Sequence, residues 1–116
     1  MNLINLTPHD LNICDANGVV VATIPASGVV ARVTSTADVV GSVDVGGHRV
    51  DLVATKFGDV DGLPAPAPDT LYIVSSLGLQ AVSGRTDVVA PDTGPASAVR
   101  DDAGRIVGVR RFQTIS

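Results

Sequence analysis

The sequence predicts a mainly β domain with one short helix, its strands forming a compact antiparallel sheet or a small barrel built from hairpins. Three observations carry this α+β reading. Valine leads an apolar fraction of 45%, while the aromatics are limited to Phe57, Tyr72 and Phe112 with no tryptophan. Valine is stiff at χ1 and suits a pleated, half-buried surface. Twelve glycines and seven prolines punctuate the chain into short segments. Every acidic residue is aspartate, and the basic residues are arginine except Lys56. Aspartate favours turns and caps over helix interiors, so the missing glutamate and lysine argue against extended helices. At 116 residues the chain makes one domain, 1–116, with no room for a second core.

The elements follow in order. Residues 2–6 read as a short strand, and Thr7-Pro8-His9-Asp10 turns the chain, with Pro8 fixing φ. Residues 11–14 and 19–24 flank Asp15-Ala16-Asn17-Gly18, where the Asn-Gly pair supplies the positive φ of a tight hairpin. A turn at 25–28 precedes a strand at 29–34. Within residues 36–56, strands at 39–45 and 48–55 bracket Gly46-Gly47. Val43, Val45, Val50 and Leu52 alternate there with Asp44, Arg49 and Asp51, the period of two expected of half-buried strands. Residues 58–69, rich in proline and glycine, read as an irregular ordered strap along one sheet edge. Residues 70–74 form the clearest buried strand. Ser75 or Ser76 caps a helix of about eight residues that Gly84 stops. A strand at 87–90, a loop at 91–95, and a last hairpin complete the chain. That hairpin pairs 98–100 with 105–112 over a turn at 101–104.

The net charge of −4 is unevenly spread. Residues 1–69 hold eight aspartates against three basic residues, whereas 70–116 hold five arginines against four aspartates. An acidic chain lacks the basic face of a general nucleic-acid binder. His9 and His48 stand far apart, neither with a cysteine or a second histidine at ligand spacing, and His9-Asp10 after Pro8 reads as a polar turn rather than two ligands, so no metal or other cofactor is expected. Cys14, the lone cysteine, reads as a small buried thiol. Ser75-Ser76 lacks the glycines of a nucleophile elbow, and phosphate-loop and dinucleotide fingerprints are absent, so no catalytic residue is assigned. With no signal-like start, no apolar run of membrane length and no disulfide, the expected compartment is the cytoplasm.

Polar density is highest from Arg85 to Arg111. Arginine offers a planar fork of donors that matches carboxylate or phosphate. Arg85, Arg100, Arg110 and Arg111 supply charge for an anionic ligand, Asp87, Asp92 and Thr93 read its polar edges, and Tyr72 or Phe112 stacks on a base. The plainer alternative is that arginine and aspartate pair with one another as a solvated network. Asp101 and Asp102 belong to hairpin-turn chemistry. On a continuous last strand Arg105 and Arg111 share a side and Arg110 opposes them, so one pocket for the whole set requires a neighbouring subunit.

The segments NLTPHDLNI, LYIVSSL, RTDVVAPDTGP and AVRDDAGRIVGVRRF resemble a group of short phage and prophage accessory proteins of actinobacterial viruses, across nearly the whole chain. The resemblance implies a small protein made inside an infected bacterium, the setting of inhibitors, adaptors and binders of host molecules. The leading functional expectation is a non-enzymatic homo-oligomer that sequesters a small anionic, nucleotide-type signalling molecule. The alternatives are a protein–protein interaction module that inhibits a host enzyme, and a nucleotide hydrolase using His9, His48 or an aspartate as base.

Overall fold

A computed structural model describes residues 1–82 and 84–114. The fold is mainly β with one short helix, and the strands fall into three sheets with no closed barrel among the described residues. The first sheet orders β1 (Asn2–Asn5), β6 (Thr70–Ile73), β7 (Val88–Pro91) and β10 (Phe112–Gln113). The second orders β3 (Val20–Ile24), β2 (Leu11–Cys14), β9 (Ile106–Val109) and β8 (Ala98–Arg100). The third is a single long hairpin of β4 (Arg32–Val45) and β5 (His48–Asp61).

Hairpins account for the β2–β3, β4–β5 and β8–β9 pairs, as the turn chemistry predicts. Asp15 Oδ1 accepts from the Asn17 and Val19 amides at 2.9 and 3.0 Å in the first. Asp101 Oδ1 does the same for Ala103 and Arg105 in the last. At the arm tip Gly46 and Gly47 take φ of 58° and 82°, a primed turn that only glycine adopts without strain.

The central pairings are parallel, however: β1 with β6, β6 with β7, and β2 with β9. The antiparallel hairpins are thus tied together by crossovers that no local turn signal announces. One crossover is α1 (Ser76–Ala81), between β6 and β7. Ser75 caps it, its Oγ accepting from the Gly78 amide at 3.1 Å. The helix has six residues rather than eight, because extended Val82 already turns out of it and donates to Leu79 O. Gly84, at φ 77°, therefore lies past the end and is not the residue that stops it.

Three strand boundaries depart from expectation. β4 runs unbroken where two strands are predicted at 29–34 and 39–45, absorbing irregularities between Val33 and Ser35 and between Val39 and Gly41. β5 continues to Asp61 through what reads as irregular strap, because Val60 and Asp61 pair with Val33 and Arg32. The last strand is broken at Arg110-Arg111, so that β9 and β10 belong to different sheets. Buried Ser97 fixes the break: its Oγ accepts from both the Arg110 and Arg111 amides at 3.1 Å.

The core gathers Leu6, Tyr72, Val74, Leu79, Val88 and Ala90 under α1, with Val60 and Leu63 packed against it. Ile73 and Val89, on the opposite face by strand alternation, are buried as well. A parallel sheet covered on both faces explains why TLYIV and DVVAP read as nearly continuous apolar runs.

Candidate functional site

The two ends of β7 divide the residues singled out in the sequence. Asp87 precedes the strand and Asp92 follows it, a separation of about 16 Å at strand rise. At the amino end Arg85 donates from Nε and Nη2 to the two oxygens of Asp87, both at 2.7 Å, and from Nη2 to Pro64 O at 3.1 Å. Its guanidinium carbon lies 5.9 Å from the Tyr72 ring centroid, within cation–π range. The hydrogen bond from Arg85 holds the Asp87 carboxyl below its ordinary value, against the opposing effect of desolvation. The same bond raises Arg85 further above its already high value. Tyr72 is a core residue, 3% exposed, and its hydroxyl donates to Ala65 O at 3.1 Å. This group ties the proline-rich connection to the sheet, and Tyr72 has no face open to a base.

At the carboxyl end Arg111 Nε donates to Asp92 Oδ2. That bond, followed by the Gly94 amide donating to Oδ1 at 3.0 Å, keeps the Asp92 carboxyl below its ordinary value. Thr93 is exposed beside them, and half-buried Phe112 begins β10. Arg110 Nε donates to Asp15 O at 3.1 Å across to the β2–β3 turn, while Arg100 Nη1 donates to Gly104 O at 2.7 Å within its own hairpin. Arg85, Arg100, Arg110 and Arg111 thus each have a protein acceptor. Within one chain they do not line one pocket.

A different feature lies on the same rim. The parallel strands β1, β6 and β7 deliver Leu6-Thr7-Pro8, Ser75-Ser76 and Asp92-Thr93 to one end of the sheet. Across the β1 and β6 ends opens a groove of about 270 Å³, lined by Leu6, Thr7, Pro8 and Ser75 on one side and residues 30–33 on the other. Its shape is fixed by Asn5, 1% exposed. Asn5 Nδ2 donates to His9 O and Ile24 O, and its Oδ1 accepts from the Thr7 amide and hydroxyl. The Ala31 amide donates to Leu6 O, closing the groove floor. The one charged residue in its lining is Arg32, which is exposed and has no side-chain hydrogen bond or ion pair among the described residues. Farther along the rim Gln113 Nε2 donates to Ser76 Oγ and Pro91 O, both at 3.1 Å.

No family model, curated protein or solved structure matches this chain. Cys14 is buried and free, so it is out of reach of a substrate. Among the described residues no three His, Cys, Asp or Glu side chains gather at metal-binding reach, and no helix is long and apolar enough to cross a membrane. His9 is exposed on the loop after β1 and His48 at the arm tip. Sequence reasoning missed Arg32, Asn5 and Ser97. Arg32 lies far in sequence from the arginine-dense end, and a buried asparagine or serine has no pattern that separates it from an ordinary turn residue.

Proposed function

We propose that the protein is a non-catalytic binding module for a small anionic ligand, held at the carboxyl ends of β1 and β6 with Arg32 as its charged contact. What carries the reading is an unpaired guanidinium on a formed groove, while Arg85, Arg100, Arg110 and Arg111 are occupied. Open sheets with parallel strands commonly take ligands at this end, where successive crossovers leave a crevice. A volume of about 270 Å³ lies just below the usual span for whole small-molecule sites. It suits a phosphate or sugar phosphate, with the remainder of a nucleotide-type ligand extending along the rim toward Ser76, Thr93 and the Asp92–Arg111 pair. The resemblance to phage accessory proteins supports sequestration of a host signalling molecule as the purpose of such binding.

A thermal-shift panel of nucleoside phosphates, cyclic dinucleotides and ADP-ribose tests it. A ligand at 100 times its Kd contributes about 2.7 kcal/mol, which in a domain of this size raises Tm by about 10 °C. Arg32→Gln removes the shift, whereas Arg100→Gln retains it. A panel with no shift, or a shift that Arg32→Gln leaves intact, overturns the proposal.

A further inference from the structure

The β4–β5 arm forms a sheet of its own, separate from the two four-stranded sheets. Its two strands pair only with each other, and residues 34–53 are exposed without interruption. Yet the register places apolar side chains together. Val43 faces Val50, Gly41 faces Leu52 and Val45 faces His48, all on one side of the ribbon. Ser42, Asp44, Arg49 and Asp51 occupy the other side. Past the irregularity between Val39 and Gly41 the apolar residues change side, and Val39, Val53 and Phe57 lie on the other face toward the root. Val40 is 67% exposed and Val39 59%. The radius of gyration, 17.4 Å, exceeds the roughly 13 Å of a compact chain this long.

We infer that the apolar side of this arm is the contact between two copies of the chain, arm packed on arm about a two-fold axis. A two-stranded ribbon is marginal in water by itself and needs a covered face. That need arises in every molecule as it folds, and a second copy is the partner available in equal amount. The surface is also its own complement. Gly41, Val43, Val45, Val50 and Leu52 carry no charge, and the one ionisable group on their side, His48, sits at the tip, so a two-fold contact that crosses below the tip brings no like charges together. A charged partner finds no carboxylate, lysine or arginine on this side, and on the side opposite Arg49 Nε lies 3.4 Å from Asp51 Oδ1. This inference is independent of the ligand reading.

Sedimentation velocity of the full chain across a hundredfold concentration range tests it. The wild type sediments as a dimer or a higher even-numbered species. Val43→Lys with Leu52→Lys sediments as a monomer, since it sets like charges against their copies. Ser42→Lys, on the opposite side, keeps the wild-type species. Far-UV circular dichroism confirms that each variant folds. A wild type that stays monomeric throughout overturns the inference even if the double variant fails to fold. So does assembly that survives in the folded double variant, which would place the contact elsewhere, for instance at the exposed valines of β3.

Discussion

Small residues hold the geometry that the arginines only decorate. Ser97 is fully buried, and among the described residues its hydroxyl is the only acceptor for the Arg111 amide at the crossing from β9 to β10. Ser97→Ala leaves that amide unpaired, while Arg110 retains the Ser97 carbonyl. The expected cost is about 2 kcal/mol, read as a lower urea midpoint at unchanged slope. Gly108 is held by close approach: a Cβ there would lie 2.6 Å from Cys14 Sγ and 3.1 Å from Asn12 O. Gly108→Ala is expected to destabilise by about 1–3 kcal/mol. Adding Cys14→Ala recovers part of that loss, a coupling that a double-mutant cycle in urea measures. Asp87 and Asp92 bear on pH. Both carboxyls lie below their ordinary value of 3.8 in the folded chain. Each therefore contributes stability above about pH 4 that is lost as pH falls below it. Asp87→Asn lowers the neutral-pH melting temperature and flattens the acid limb, whereas a limb as steep as the wild type's would remove Asp87 from that role.

At the scale of elements, what the sequence reveals and what it conceals divide by range. Each hairpin turn is announced locally: Asp15 to Gly18, Gly46-Gly47 and Asp101 to Gly104 carry their own hydrogen-bond and φ requirements. The Ser75 cap is equally local, and Ser75→Ala is expected to cost about 1 kcal/mol by calorimetry. Parallel pairing is not local. Asn2 to Asn5 finds Thr70 to Ile73 across the whole arm, and no periodicity in either segment specifies the partner or its direction. The broken last strand shows the same limit. Residues 105–112 read as one strand because β propensity is continuous, but the Ser97 contact lies thirteen residues from Arg110. With that break, the alternation argument placing Arg105 and Arg111 on one side no longer applies. The candidate site suffered most. Density of arginine in sequence marked residues whose guanidinia the fold satisfies internally, while Arg32, in the acidic part of the chain, stands at the groove.

For the whole molecule, the sequence pattern of the arm and its exposure are one fact seen twice. Alternation of Val43, Val45, Val50 and Leu52 predicts half-buried strands, and a single chain leaves that side uncovered. If dimerisation covers it and is coupled to folding, stability depends on concentration. Each tenfold increase adds about 1.4 kcal/mol per dimer, which raises Tm by about 3 °C for two chains of this size. Differential scanning fluorimetry at three concentrations should show that slope for the wild type and none for Val43→Lys with Leu52→Lys. Salt separates this contact from the groove. An uncharged interface persists or tightens at 1 M salt, whereas exposed Arg32 loses most of its attraction for an anion once the Debye length falls to about 3 Å. A ligand-induced melting shift should therefore shrink at high salt while the concentration slope remains. Loss of the slope instead would mean that charge, not the valine surface, holds the copies together.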